Sequence, residues 1–518
     1  MRAFALPVAA VACLSACPSS VPDDARFAAA DAAGGTGVGA LGDAAGTPGT
    51  DAAGVRADGG GVADAPSGLD GPAAADSMSK SDGPSQSDTT VASDAVAPPD
   101  AGCEKNGCAP GPDLCKPSAC QPDGSCKATA APDGTACGAP KTCLAGFCLA
   151  PPPAILQLAA GGYTTAARLA DGTLRSWGDS ASGQLGDGSS GSGKKSASPV
   201  TVKAVANAAD VACGETHCCA IAGAAALCWG TNEWGAIDPK LATKGVVTTA
   251  SQVAGVVGAV QVAAGTQFSC ARLESGKVRC WGLGSAGQLG DGNGFATKTV
   301  TDVSLTEPAV EVRAGHHFAC ARTAQAKVWC WGSNEYGQLG NGDGGTSKGS
   351  LVPVQVAGLT DAVSVATGAD HACAAKKDGS AWCWGRNADG AALGAGPGNT
   401  YSSTPKQVVG LVDAILVAAG GAHGCAVRKG GSLVCWGRND HGQLGAVQPA
   451  SSNQPILVAG LSGLVGVVAG ESHTCAWAAA GAGAASGPNK AWCWGSNGFG
   501  EAGSGGGKDV TTPGPVLQ

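Results

Sequence analysis

The chain has 518 residues, among them 85 glycines and 24 cysteines, and its formal net charge at pH 7 is −8. This charge argues against nucleic acid as a partner. So many cysteines are unusual in a cytosolic protein and favour an oxidising compartment. The negative charge is concentrated in residues 18–101, where 13 aspartates and 3 basic residues give −10, so the rest of the chain is close to neutral.

The N-terminus has the pattern of an export signal over residues 1–16. Arg2 precedes an apolar run of about a dozen residues, as in secretory signals. The residues Leu14-Ser15-Ala16-Cys17 resemble a bacterial lipobox, which implies that Cys17 is diacylated and becomes the mature N-terminus. An ordinary signal peptide is the alternative. The lipobox implies a location in the bacterial cell envelope, at the outer membrane or the cell surface, with membrane contact through the lipid anchor only.

Two segments of unlike composition separate this signal from the rest of the chain. Residues 17–101 are rich in Ala, Gly, Asp and Pro and are predicted to be a disordered tether, because they cannot bury enough apolar surface to fold. Residues 102–150 hold eight cysteines and few core-forming residues, which predicts a disulfide-rich module whose pairing stays open. A metal site is the weaker alternative, since the module has no histidine and no Cys-x₂-Cys spacing.

A repeat occupies residues 154–518. Within it a Trp-Gly dipeptide stands at seven regularly spaced positions, Trp177 to Trp494, at steps of 52, 52, 50, 53, 52 and 58 residues. A period near 50 with glycine-rich turns is typical of a β-propeller. In the unit around Cys373, stretches 353–356, 362–366, 371–375 and 381–385 have strand patterns separated by turns. We therefore predict an all-β, seven-bladed propeller of four-stranded antiparallel blades.

The ends of the repeat region suggest how the ring closes. The first unit begins at Ile155 with the pattern of a second strand, and no first strand precedes it. The chain ends over residues 512–517 in the pattern of a first strand that no further unit follows. We therefore expect the C-terminal strand to join the first blade and complete it, which would leave no exposed sheet edge.

Six of the seven units carry a pair of cysteines, and the first unit has Ala166 and Ser176 in their place. Joint presence and joint absence suggest that the two sulfurs meet, and buried free thiols are the alternative. The hairpin loops agree, because a three-residue loop with Gly379 in the left-handed region, or the two-residue turn Gly223-Ala224, sets the cysteines opposite each other. The predicted disulfides are Cys219–Cys228, Cys270–Cys280, Cys320–Cys330, Cys373–Cys383, Cys425–Cys435 and Cys475–Cys493, with Cys213–Cys218 as a further bridge.

The repeat resembles the regulator of chromosome condensation repeat family. The matching pattern is Gly-x-x-His-x-Cys-Ala followed by Cys-Trp-Gly-x-Asn-x-x-Gly-Gln-Leu-Gly, with strong copies at Trp281–Asp291, Trp331–Asn341 and Trp436–Gly445. The resemblance implies a seven-bladed propeller and, in eukaryotic nuclear members, guanine-nucleotide exchange on a small GTPase. We do not expect exchange here, since an exported protein does not meet a cytosolic GTPase. A secreted bacterial β-lactamase-inhibitor protein of this fold is the closer analogue.

Catalysis is not expected. The repeat histidine is interchangeable with phenylalanine or threonine, which favours a structural role, and the residues at this position are Thr164, His217, Phe268, Phe318, His371, His423 and His473. The sequence shows no obvious carboxylate pair, Ser-His-Asp set, metal spacing or phosphate loop, so we expect neither cofactor nor metal.

The Gly-x-x-His turns and the Trp-Gly-x-Asn loops should emerge on one face of the ring. Four residues at one loop position could form an aromatic rim there, as interface anchors or simply as loop packing: Trp234, Tyr336, His441 and Phe499. The turn residues that differ between units are further candidates: Glu215, Gln267, His316, Asp370 and Glu471.

The sequence therefore favours a monomeric, non-catalytic binding protein at the cell surface, with an extracellular protein or glycan as its ligand. An inhibitor of an extracellular enzyme is the main alternative function. A hydrolase or lyase built on the propeller is the third.

Overall fold

A computed structural model of the chain describes residues 153–241, 245–295, 297–344, 349–478 and 490–516, together with four short strands ahead of them. The predicted signal, Cys17, the tether and the cysteine pairing within residues 102–150 lie outside the described residues. The four short strands form two antiparallel hairpins: β1 (Ser118–Cys120) with β2 (Cys126–Ala128), and β3 (Thr142–Leu144) with β4 (Phe147–Leu149). No helix within the described ranges is long and apolar enough to cross a bilayer.

Seven sheets follow, each a meander of four antiparallel strands, so the predicted fold class is confirmed. Blade one holds β5 (Ile155–Ala160), β6 (Thr164–Leu169), β7 (Leu174–Asp179) and β8 (Lys195–Thr201). Blade two holds β9 (Ala208–Cys213), β10 (His217–Ala222), β11 (Ala225–Thr231) and β12 (Val246–Val257). Blade three holds β13 (Ala259–Ala264), β14 (Phe268–Leu273), β15 (Val278–Gly282) and β16 (Thr297–Asp302).

Blade four holds β17 (Ala309–Ala314), β18 (Phe318–Thr323), β19 (Val328–Gly332) and β20 (Ser350–Gln355). Blade five holds β21 (Ala362–Thr367), β22 (His371–Lys376), β23 (Ala381–Arg386) and β24 (Tyr401–Gln407), with a 3₁₀ turn at Ala388–Gly390. Blade six holds β25 (Ala414–Ala419), β26 (His423–Arg428), β27 (Leu433–Arg438) and β28 (Ser451–Leu457). Blade seven holds β29 (Leu464–Ala469), β30 (His473–Ala478), β31 (Ala491–Gly495) and β32 (Val510–Pro515).

The predicted ring closure was wrong. The C-terminal strand β32 pairs with β31 of its own blade, where Pro515 lies opposite Trp492. The stretch expected to open each blade is the outer, fourth strand of the blade before it, as Val354 opposite Cys330 shows. Alternation of apolar residues identifies a strand but not its hydrogen-bonding partner. The strands were therefore predicted correctly, but each predicted blade began one strand too early.

Seven buried tryptophans on the third strands join neighbouring blades instead. Each donates its indole N–H to a main-chain carbonyl in the loop between the third and fourth strands of the preceding blade. The pairs are Trp177–Glu501, Trp229–Gln184, Trp281–Ala236, Trp331–Gln288, Trp384–Gln338, Trp436–Ala392 and Trp494–Gln443, at 2.7 to 3.1 Å. The first of these joins blade seven to blade one, so the ring closes by the same contact that is used at the other six interfaces.

The last glycine of the Gly-Gln-Leu-Gly motif belongs to the same contact. Gly340 has φ +67°, and a Cβ there would lie 2.7 Å from the indole of Trp384 in the next blade. The left-handed backbone favours glycine, and the indole leaves no room for a side chain. The repeated Trp-Gly and Gly-Gln-Leu-Gly sequences are therefore two halves of one interface.

All six predicted hairpin disulfides are present, and so is Cys213–Cys218. The cysteines of each hairpin pair are directly opposed in the ladder, with Cα atoms 4.0 to 4.1 Å apart. The predicted turns also form, since Gly379 has φ +87°, and Gly223 and Ala224 have φ +58° and +62°. In the described structure these sulfurs crosslink the second and third strands of blades two to seven.

Candidate functional site

The two ends of the ring carry different connections. We call the end with the turns between first and second strands, and the loops between third and fourth strands, the turn face. The opposite end, with the hairpins between second and third strands, is the hairpin face. Turns and loops meet on the turn face as predicted: the amide of Ser333, which begins a loop, donates to the turn carbonyl of His317 at 2.8 Å.

Seven glycines surround the channel mouth on the turn face. A Cβ on any of them would clash with the carbonyl oxygen of the equivalent glycine in the next blade, including Gly470 against Gly161 across the ring closure. The ring consists of Gly161, Gly214, Gly265, Gly315, Gly368, Gly420 and Gly470. Because glycine allows this close approach, the mouth is narrow, with a cavity of only about 60 Å³.

A histidine and a glutamate meet across this mouth. Nε2 of His316 in blade four lies 3.3 Å from Oε2 of Glu471 in blade seven. Gly421 makes room for the glutamate, since a Cβ there would lie 2.5 Å from its carboxylate. The two turn residues therefore form a bridge over the end of the channel.

The bridge changes the proton affinity of both partners. Burial alone would lower the pKa of His316, but the hydrogen bond and charge of Glu471, with Glu215 and Asp370 nearby, outweigh it and raise the pKa. The hydrogen bond from His316 lowers the pKa of Glu471 despite its burial. These shifts favour the charged pair. They leave Glu215 as a turn carboxylate beside the mouth, while Asp370 contacts Arg386 at 3.4 Å.

The four predicted rim residues have different surroundings. Tyr336 lies under Arg386, whose guanidinium is 4.9 Å from the ring centroid. His441 Nδ1 lies 2.8 Å from Oδ2 of Asp509 in the next blade. Phe499 packs on Tyr163 of blade one, with ring centroids 5.0 Å apart. These three side chains therefore contact neighbouring blades, which supports the packing interpretation for them.

Trp234 is the most exposed of the four, at 48%, and Phe499 follows at 39%. Its loop begins beside the turn that carries Glu215, as the amide of Thr231 donates to the carbonyl of Thr216 at 3.0 Å. Trp234 and Glu215 thus lie in the same blade and on the same face. Gln267 is half-buried in the next turn, where its carbonyl accepts from the Leu283 amide at 2.9 Å.

The four repeat histidines are buried, and three of them bridge adjacent blades through Nε2, which fits their expected structural role. Nε2 of His473 lies 2.9 Å from the hydroxyl of Thr165 in blade one, and His217 and His423 contact Ser269 and Thr474 in the same way. Burial lowers the pKa of His473 to about 4, so it is neutral at pH 7. The sequence contained a signal for these three contacts, because a Ser or Thr stands one residue after the equivalent position in the next unit, whereas Gly424 stands there for His371.

Among the described residues, no three His, Cys, Asp or Glu side chains are grouped so that they could hold a metal ion. The arrangement on the turn face offers hydrogen bonds, charge and one exposed indole to a ligand.

Comparison with known sequences agrees with this architecture. The profile described as "RCC1-like domain" matches residues 137–423, more than half of the chain, and two profiles of the regulator of chromosome condensation (RCC1) repeat match residues 414–443 and 430–477. The chain belongs to the RCC1-like domain family. The resemblance drawn from the repeat motif is therefore confirmed at the level of family and fold.

Relatives of this RCC1-like chain include much larger proteins. It is 28% identical to the human E3 ubiquitin-protein ligase HERC2 over 328 residues, which cover 61% of this chain but 6% of that protein. It is 35% identical over 131 residues to human HERC4, a probable E3 ubiquitin-protein ligase, covering 24% of this chain and 12% of the relative. The chain thus spans only a small part of the length of these relatives.

Solved structures show the same fold at low identity. Human WBSCR16 is 20% identical, with a TM-score of 0.57 over 67% of this chain and 95% of that one. Yeast RCC1 (Prp20), solved with Kap60, is 20% identical, with a TM-score of 0.58 over 71% and 85% of the two chains. At this identity the likeness establishes the RCC1-like fold alone.

Proposed function

We propose that this chain is a non-catalytic, extracytoplasmic binding protein that holds a protein partner on its turn face. The observation that carries the proposal is the exposed Trp234, whose equivalents Tyr336, His441 and Phe499 are engaged by neighbouring blades. A large aromatic side chain left uncovered on a rigid surface is a frequent interface anchor.

The charge on the same face as this anchor indicates the chemistry of the partner. Glu215, Asp370 and Glu471 lie around the mouth, where their charges together raise the pKa of His316 against its burial. His316 pairs with Glu471 and Arg386 pairs with Asp370. The carboxylate of Glu215 then remains to attract a cation. A partner segment with Lys or Arg beside an apolar residue would therefore complement the turn face.

Two further observations support an extracytoplasmic location and a protein-binding role. Seven disulfides in the described structure are typical of a protein folded outside the cytoplasm. Within the family, a structure of yeast Prp20p is described together with its binding properties to Gsp1p and histones. A protein-binding role on this fold thus has a precedent in a distant relative.

The test uses the full chain as bait against extracellular proteins, with crosslinking and mass spectrometry. Trp234→Ala and Glu215→Gln should each reduce capture of the partner at least tenfold. Val412→Ala is the matched control, because Val412 is an exposed apolar residue on the hairpin face (67%), and it should capture as well as the wild type. Equal capture by Trp234→Ala and the wild type would refute the proposal. Capture that survives complete protease digestion of the extract would identify a glycan partner instead.

A further inference from the structure

The hairpin face carries a ring of exposed aliphatic side chains around the other channel mouth. Each belongs to the second residue of a blade's first strand, where the ladder register shifts and leaves that residue without a directly opposed partner. The ring consists of Leu156, Ala209, Val260, Val310, Val363, Ile415 and Val465, and six of the seven are large apolar residues that are 38 to 50% exposed.

Behind this ring lies a cavity of about 370 Å³ with two unlike walls. On one side, from blades two to four, its lining holds all the charged residues together with two valines: Asp210, Arg272, Glu311, Arg322, Val260 and Val310. On the other side, from blades five and six, it includes Val363, Ile415 and Leu416. Leu416 also lines the next section of the channel, about 280 Å³, whose wall is largely aliphatic. An amphiphilic molecule would match both walls.

The charged side chains of this mouth differ in whether they have partners within the protein. Glu311 binds two guanidinium groups, Arg313 and Arg322, each at 2.9 Å. Asp210 is held by the side-chain amide of Gln157 at 2.7 Å and the main-chain amide of Val262 at 2.8 Å. The carboxylates of the mouth are thus already hydrogen-bonded within the protein.

Arg272 forms no direct ion pair among the described residues, although the nearby charges of Asp210 and Glu311 oppose the lowering of its pKa by burial. Its hydrogen bond runs from Nε to the neutral amide oxygen of Gln261, at 3.3 Å, and it lines the cavity. Arg168, at the equivalent position of blade one, likewise donates to an amide oxygen, that of Gln157 at 3.2 Å. The cavity is lined by two arginines, Arg272 and Arg322, and two acidic residues, Asp210 and Glu311. Both carboxylates already accept hydrogen bonds from other groups, which leaves the guanidinium of Arg272 for a ligand. A half-buried guanidinium favours a carboxylate ligand because of its fork of donors.

We propose that the hairpin-face mouth is a binding site for a monocarboxylate with an unbranched aliphatic chain. The carboxylate lies on Arg272, and the chain follows Ile415 and Leu416 into the channel. The ligand enters and leaves by this mouth, because the glycine ring and the His316–Glu471 bridge narrow the other end. The site is separate from the proposed partner surface on the turn face.

The test is isothermal titration calorimetry of the full-length protein with decanoate, kept below its micelle concentration. One site per chain is expected, and Arg272→Gln should weaken binding at least tenfold. Decanol, which has the chain without the charge, should bind at least tenfold more weakly than decanoate. Ala212→Leu should also weaken the binding of decanoate, since Ala212 lines the aliphatic section of the channel and a larger side chain would narrow that section.

Arg279→Gln is the matched control, because Arg279 lies on the third strand of the same blade and pairs with Asp302 at 2.6 Å, away from the channel. Circular dichroism should show that each variant retains the wild-type fold. No decanoate binding by the wild type, or equal binding by the wild type and Arg272→Gln, would overturn the proposal. Binding of a peptide with a free C-terminal leucine in place of decanoate would overturn the assignment to an unbranched chain.

Discussion

The indole nitrogen of Trp177 lies 2.7 Å from the carbonyl oxygen of Glu501, 324 residues further along the chain. This hydrogen bond joins the first blade to the last. Trp177→Phe should lower the free energy of unfolding by about 1–3 kcal/mol, because a hydrogen bond and part of a buried ring are lost. Guanidinium denaturation measures the change.

Trp331→Phe is the matched variant, since its bond to the Gln288 carbonyl, 2.9 Å long, lies at an interface inside the ring. A ring closed by equivalent contacts predicts similar losses for the two variants. If Trp177→Phe cost nothing while Trp331→Phe was destabilising, the junction of blades seven and one would not contribute to stability.

Glu501 is a fully buried carboxyl at a position that is Gln in four other blades. Burial raises its pKa. The folded state therefore holds its proton more tightly than the unfolded state, and this group's contribution to stability falls as pH rises above the ordinary value of 4.5. Glu501→Gln should stabilise the protein at pH 7 by about 1–2 kcal/mol, and the gain should vanish below pH 4.

The replacement amide has suitable partners already. Glu501 accepts from the Phe499 amide at 2.8 Å and from the Ser496 hydroxyl at 3.0 Å. In blade four, Gln338 makes both equivalent contacts, to the Tyr336 amide and the Ser333 hydroxyl. Gln338→Glu should accordingly destabilise the protein at pH 7, because it places a carboxyl group at the same buried position. Thermal melts of both variants from pH 4 to 8 test the pair, and a stabilising Gln338→Glu would contradict the explanation.

The buried histidines make the fold sensitive to acid. Burial lowers the pKa of His217, His371 and His473 to about 4 and that of His423 to about 3. Between pH 6.5 and pH 4 the unfolded state binds more protons than the folded state. The free energy of unfolding therefore decreases as the pH is lowered, by at most about 1.4 kcal/mol per pH unit for each histidine. Urea denaturation at successive pH values should show this slope.

Substitution of His371 gives the most direct test of this acid sensitivity. Its buried Nε2 has no hydrogen-bond partner among the residues that the structure describes, whereas Nε2 of His473 contacts Thr165 at 2.9 Å. His371→Phe should leave stability at pH 7 unchanged or higher and should reduce the slope below pH 6.5. His473→Phe should cost about 1 kcal/mol at pH 7. An unaltered slope for His371→Phe would show that this histidine does not titrate as proposed.

Ala326 occupies a left-handed position, with φ +59°. The equivalent residue of blade five is Gly379, with φ +87°, and both amides close the same turn at 2.9 Å. Ala326→Gly should stabilise the protein by about 1 kcal/mol, since a Cβ is strained in this region. Gly379→Ala should be destabilising, because its Cβ would clash with the Val412 carbonyl. Melting temperatures measure both changes, and a loss of stability in Ala326→Gly would contradict the expectation.

The sequence predicted features that depend on local register. Cys373 and Cys383 could be paired because the loop length alone decides whether they oppose each other, and the structure confirms the bridge. The blade to which residues 353–356 belong could not be decided, since an alternating pattern fits either sheet edge. The contact of Trp384 with Gly340 was also missed, because it requires knowing how adjacent blades face each other.

The candidate site shows the same limit. The sequence placed Trp234, Tyr336, His441 and Phe499 on one face, but it could not show which would be covered. The groups that contact Tyr336 and Phe499 are Arg386 and Tyr163, and both come from adjacent blades. Exposure is therefore a property of the assembled ring, and the repeat pattern alone does not contain it.

Both ends of the described propeller lie on the hairpin face. The Ala154 carbonyl accepts from Ala170 beside the first hairpin, at 2.7 Å, and the Val516 amide donates to Ala491 at 3.0 Å. A sensor chip, bead or fusion tag attached directly at residue 154 or residue 516 therefore holds the propeller by its hairpin face. The acidic mouth with its exposed indole then points into free solution, which is the orientation that a capture reagent needs.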